Sequence, residues 1–269
     1  MNILILGDVV GSSGREALKK KLKTIIKEKN IDFTVVNGEN ADNTGRGITK
    51  ENSNSFFDLG VDVITSGNHI WDQKETMTFI ENEKRLLRPY NLTKGSPGKG
   101  FGIFQTKNKK FKIAVINLMG NIFMKKCDDL FQAASQLKNL VRLRKDADFI
   151  IVDVHGEITS EKMALGHFFD GEATVVVGTH THVPTSDTHI LKGGTAYQTD
   201  LGMCGDYDSV IGMNKDNSLM RFFKNENAKR HFPALGEATI SGIIVEADSS
   251  SGKAIKAEPL IVGRILKNF

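Results

Sequence analysis

Short apolar runs alternate with stretches of helical spacing through the first two-thirds of the chain. The runs fall at residues 3–6, 33–36, 61–65, 112–118, 149–154 and 174–177, and each reads as a strand. Between them, residues 15–29 place Ala17, Leu18, Leu22, Ile25 and Ile26 at helical spacing. Residues 49–59, 130–144 and 160–169 read as further helices, and another begins near Asp72. This β-α-β alternation predicts a mostly parallel sheet covered by helices. The last third changes character. Residues 186–198 and 237–265 suggest short antiparallel strands, with turns at Lys192-Gly193-Gly194 and Ser250-Ser251-Gly252-Lys253. No Pro-, Gly- or Ser-rich linker divides the chain, so residues 1–269 are expected to form a single domain.

The chemistry lies at the C-terminal ends of five of the runs. The first ends in Gly7-Asp8, the second in Asn37-Gly38-Glu39-Asn40, and the third in Ser66-Gly67-Asn68-His69. Residues 149–154 lead into His155-Gly156-Glu157, and 174–177 into Gly178-Thr179-His180-Thr181-His182. Each alone reads as a turn or a cap. Parallel strands, however, send all their C-terminal ends to one edge, the ligand-binding edge of open α/β sheets. The set of Asp, Glu, Asn and His without thiolates suits hard or borderline divalent ions such as Mn, Fe, Zn, Co or Ni.

Composition narrows the class. The 269 residues are 39 % hydrophobic and 25 % charged, with a formal net charge of +4, as in ordinary globular proteins. Two cysteines without a CxxC can form neither a disulfide scaffold nor a thiolate zinc site, and read as free thiols of a cytoplasmic protein. The N-terminus lacks the basic segment of a signal peptide, and no apolar run approaches the roughly 18–20 residues of a membrane span. Lys19, Lys20, Lys21 and Lys23 wrap around their helix rather than forming a stripe, and no basic stripe with interleaved aromatics speaks for a nucleic-acid substrate.

The ordered motifs Gly7-Asp8-Val9-Val10-Gly11, Asn37-Gly38-Glu39-Asn40-Ala41, Gly67-Asn68-His69-Ile70-Trp71-Asp72 and Val177-Gly178-Thr179-His180-Thr181-His182-Val183 resemble the calcineurin-like metallophosphoesterases, and within them the bacterial YmdB-type branch. Thr199-Asp200-Leu201-Gly202-Met203 and the segment from Tyr207 to Met213 extend the likeness. The wider superfamily begins Asp-x-His; here Val10 takes the His position, Glu39 replaces the bridging aspartate, and Asn40 can supply the missing ligand, as that branch has it.

The resemblance implies a four-layer αββα sandwich of two mixed sheets flanked by helices. It implies two divalent or mixed-valence ions, Fe, Mn or Zn. One would be held by Asp8, Glu39, Asn40 and His182, the other by Glu39, Asn68, His155 and His180. A bridging hydroxide would attack phosphorus while His69, not a ligand, protonates the leaving oxygen. The expected substrates are cyclic nucleotides, 2′,3′ or 3′,5′. The alternatives are a nucleotidase or other phosphomonoesterase, or a slow nucleotide-sensing regulator. A homo-oligomer, dimer or tetramer, is expected. Only two anionic ligands serve two divalent ions and a hydroxide, leaving the site at about +1 and receptive to phosphate. Arg46, in a glycine-flanked loop, and Arg15, at a helix start, are candidate phosphate contacts.

Overall fold

Alternate residues of the first strand belong to different cores. Ile3 and Ile5 are buried with Phe33, Val35, Ile113, Val115, Phe149, Ile151, Val175 and Val177, whereas Leu4 and Leu6 pack with Leu18, Leu22 and Phe56. A strand buried on both faces reads as a continuous apolar run, which is why residues 3–6 carry no polar alternation. The computed structural model describes residues 1–266. In chain order its elements are β1 (Asn2–Val9), α1 (Gly11–Glu28), β2 (Phe33–Asn37), α2 (Lys50–Leu59), β3 (Val63–Thr65), α3 (Thr76–Phe79), β4 (Phe101–Gln105), β5 (Lys112–Met119) and α4 (Leu130–Leu140). There follow β6 (Phe149–His155), α5 (Thr159–Phe168), β7 (Val175–Thr179), β8 (His189–Ile190), β9 (Ala196–Gln198), β10 (Met203–Asp206), α6 (Lys215–Phe222), β11 (Ala238–Ala247) and β12 (Ala254–Val262).

Two six-stranded sheets result, in the orders β12-β11-β10-β1-β2-β3 and β4-β5-β6-β7-β9-β8. The strands β1, β2 and β3 run parallel, as do β5, β6, β7 and β9. Antiparallel partners complete both: β11 and β12 in the first sheet, β4 and β8 in the second. The inter-sheet core joins the two sheets, α1 and α2 cover the outer face of the first, and α4 and α5 cover the second through Leu130, Leu137 and Leu165. The four layers are those the family resemblance implies. The alternation pattern alone predicts one mostly parallel sheet and is corrected here. Strand-helix alternation does not reveal that β4 reverses the chain into a second sheet.

Three elements escape the pattern: β4, β10 and α6. The helix expected over 130–144 stops at Leu140, where Val141 turns extended and the Asp146 carboxylate takes the Arg142 N–H at 2.9 Å. After Asp72 the chain makes turns before the single helical turn α3. Cys127 and Cys204 are free thiols. Among the described residues no helix is long and apolar enough to cross a membrane.

Candidate metal centre

The strand ends meet across the two sheets. Asp8 lies near the end of β1, Glu39 and Asn40 follow β2, and Asn68 and His69 follow β3; His155 closes β6, and His180 and His182 follow β7. Strand-helix alternation puts these ends on one edge of one sheet. They lie instead on the facing edges of two stacked sheets, which brings side chains together from both sides.

Two adjacent groups form. In one, His155 Nε2 lies 3.0 Å from Glu39 Oε1, 3.1 Å from Asn68 Oδ1 and 3.1 Å from His180 Nδ1. In the other, His182 Nε2 lies 3.3 Å from Asn40 Oδ1 and 3.9 Å from Asp8 Oδ1. Asp8 also joins the first group, with Oδ1 3.8 Å from His155 Nδ1, while its Oδ2 accepts the His180 N–H at 3.1 Å. Gly67 permits the approach: a Cβ there would collide with the His155 ring and the Glu39 carboxylate.

The polarity of these atoms suits a cation. Thr179 donates its hydroxyl to Asp153 at 2.7 Å, so it accepts from His155 Nδ1 at 3.0 Å, and the Nε2 lone pair faces inward. His182 Nδ1 has the Ile211 carbonyl at 2.8 Å as its acceptor, which likewise frees Nε2. The Asn40 amide donates to the Gly45 carbonyl at 2.9 Å, turning Oδ1 inward. Asp8 Oδ1 is buried without any hydrogen-bond partner. Acceptors thus converge with few donors among them, an arrangement that repels itself unless a positive charge sits between. Glu39, His155 and His180 place ligand atoms within 4.8 Å of one another, close enough to hold a metal ion.

Titration follows the same geometry. Burial pushes Asp8 up to about 6, against the pull of His182 and His155. Burial would also keep Glu39 and His155 neutral, but facing each other they reverse it: Glu39 is held below the usual carboxylate range and His155 rises to about 9. Burial and the neighbouring His155 push His180 down to about 3. A proton on His155 Nε2 thus occupies the place of a cation, and a metal ion would displace it.

A cavity of about 360 Å³ opens over this floor. His69 lines it; its Nδ1 is 2.8 Å from Asp72 Oδ2, and its backbone N–H donates to Glu39 Oε2 at 2.9 Å. Arg46 lines it too. Arg15 is not among the lining residues. Its guanidinium donates to the Ala41 carbonyl and to Asn43 Oδ1, which braces the loop after Asn40.

The whole chain, and not the site alone, has known relatives. The model of the YmdB-like protein family matches residues 4–260. The chain belongs to that family. A Bacillus subtilis (strain 168) relative, named 2′,3′-cyclic-nucleotide 2′-phosphodiesterase, is 44 % identical over 97 % of both chains. The crystal structure of a Mycoplasma pneumoniae protein described as a novel phosphatase superposes with a TM-score of 0.88 at 35 % identity, covering 98 % of this chain and 93 % of that one. A hypothetical protein from Thermus thermophilus superposes equally well, with a TM-score of 0.88 at 36 % identity over 98 % and 99 % of the two chains.

Several further residues shape this YmdB-like site, most of them outside the motifs. Asp153 sits below the floor, fully buried, and accepts from Thr65, Thr179 and Asn37 at 2.5, 2.7 and 3.1 Å. Burial raises its pKa. Glu157 Oε2 lies 3.2 Å from His180 Nε2, and its place two residues after His155 is the one signal that could have found it. Lys162 and Asp200 form a buried pair at 2.7 Å; the same Asp200 oxygen accepts the Thr181 N–H between the two histidines. Lys125 reaches from the loop after β5 to the Asn68 carbonyl at 2.6 Å and to Asp72 at 3.3 Å. His231, outside every motif, also lines the cavity.

Proposed function

We propose that this chain is a metal-dependent phosphodiesterase that hydrolyses cyclic nucleotides, 2′,3′-cyclic esters foremost and 3′,5′-cyclic esters as further candidates. The observation that carries the reading is the convergence of inward lone pairs from His155, His182, Asn40 and Asp8 at the joined sheet edges. The name of the Bacillus subtilis relative supports the substrate class.

Asp8, Glu39, Asn40 and His182 would hold one divalent ion and Glu39, Asn68, His155 and His180 a second, with Glu39 shared; Fe, Mn and Zn all suit these donors. Such ions, when bound, polarise phosphate oxygens and bring the pKa of a bound water to about 7. The chain's own residues do the rest. Asp72 fixes the Nδ1 side of His69, which leaves Nε2 to hold the proton given to the leaving oxygen. Arg46 offers a guanidinium to the phosphate from the cavity wall. The neutral Asn and His ligands keep the pocket from repelling an anion. Residues 1–269 act as one domain, in the cytoplasm.

The test is elemental analysis of protein purified without chelator, followed by assays with 2′,3′-cyclic AMP, 3′,5′-cyclic AMP, AMP and bis-(nitrophenyl) phosphate. Turnover of 2′,3′-cyclic AMP ahead of AMP is expected. Preference for AMP would favour a monoesterase, in line with the Mycoplasma pneumoniae structure's description. Binding without turnover in every metal tested would sink the enzymatic reading.

A further inference from the structure

The cavity, about 360 Å³, has two unlike kinds of lining: Glu39, His180 and His182 on the one hand, and Val210, Ile211, Met213 and Phe222 on the other, with the Ile211 carbonyl joining the two at His182 Nδ1. The geometry points to the apolar lining as the subsite for the nucleobase of the ester, with Phe222 as its stacking surface and Ile211 as its wall. This rests on the phosphodiesterase reading above and adds what selects the substrate.

Two observations carry it. Phe222, the last residue of α6, lines the cavity while its side chain is 74 % exposed, and no ring among the described residues packs on it. An aromatic face open to a pocket that ends in a phosphate site is what a base can stack on. The second is the backbone of Ile211. It sits at φ +47, a left-handed conformation unfavourable for a β-branched residue, followed by Gly212 at φ +88. Reciprocal hydrogen bonds of 2.9 Å between Val210 and Met213 close this two-residue turn. Asn or Gly would adopt it without strain. With Ile there, the carbonyl binds His182 Nδ1 and the side chain, 54 % exposed, lines the cavity. One strained residue therefore sets both a metal-facing imidazole and the wall beside it.

The apolar lining also predicts the form of selectivity. The carboxylates lining the cavity, Glu39 and Glu157, are each paired with a histidine, and the Ser218 hydroxyl is engaged with the Asn214 carbonyl at 2.8 Å. Stacking on a ring face favours the larger purine over the pyrimidine.

The experiment compares 2′,3′-cyclic AMP with ethylene phosphate, the same five-membered cyclic diester without sugar or base, followed by ³¹P NMR. Phe222→Ala should lower the ratio of kcat/KM for 2′,3′-cyclic AMP to that for ethylene phosphate about tenfold, mostly through KM. Phe222→Trp should retain the ratio. Ile211→Gly, which keeps the carbonyl, should lower it a few-fold. A ratio unchanged in Phe222→Ala overturns the subsite. So does an equal loss on both substrates with a changed elution volume on gel filtration, because Phe222 would then belong to a contact between copies. A wild-type protein that hydrolyses neither diester in any metal overturns the phosphodiesterase reading instead.

Discussion

The floor and the mouth of the site are built by different means. Asp8, Glu39, Asn40 and His155 are buried and sit at or just beyond strand ends, with His155 locked through Thr179 and Asp153 and Asn40 by the Gly45 carbonyl. His69, Arg46, Ile211 and Phe222 come from loops and a helix end, are partly or fully exposed, and include strained backbone at Ile211. The contrast is that of a fixed electrostatic site and an adaptable wall. Charge must be placed to within a few tenths of an ångström, which needs a sheet, whereas an apolar contact tolerates a loop.

Predictions that break or sharpen this contrast start at the floor. Glu39→Gln should empty both ions on dialysis and abolish activity, read by elemental analysis; two ions retained would argue against a shared ligand. At the mouth, His69→Gln should keep its metal and lower turnover by about 10²–10⁴-fold, with a smaller loss for a nitrophenolate leaving group. If that variant loses metal, His69 belongs with the floor. Thr179→Val removes the acceptor that locks His155 Nδ1, and should weaken metal binding by about 10–100-fold in titration, with Thr179→Ser near wild type. The mildest effect is pH. Without metal, His155 titrates at about 9 and is protonated at neutral pH, so uptake must expel that proton. Apparent affinity should rise with pH by about tenfold per unit up to that value, and calorimetry in buffers of different ionisation enthalpy should register the released proton. Identical heats in all buffers would mean that His155 is neutral before metal arrives.

The same division describes what could be read from the chain. Every candidate ligand named from the strand-end motifs lies at the joined edges, because parallel strands force their ends together whatever the loops do. Arg15 shows the limit. A helix start with a glycine turn looks like an anion site, yet in the fold its guanidinium is taken up by the Ala41 carbonyl and Asn43. Phe222 and His231 gave no signal, and Ile211 lay within the motif at 207–213 without any role, since α6 is short and polar in its first turn and the turn at 210–213 carries no Asn-Gly. Asp153 and Lys162 read as one residue in an apolar run and one on a helix. Their burial depends on partners far along the chain, Thr65 and Thr179 for one and Asp200 for the other.

By itself the sequence determined most of the strands and the donor types at their ends. These rest on local periodicity and on the rule that a residue after a parallel strand lies at the sheet's edge. Only the tertiary structure decided that two sheets share the work, since the reversal at β4 is a matter of pairing rather than of pattern. Only it decided which nitrogen of each histidine faces inward, because a tautomer is set by the hydrogen bond on the far side of the ring. And only it set Phe222 in the same cavity as His180 and His182, because that neighbourhood comes from packing between distant segments, which no local spacing encodes.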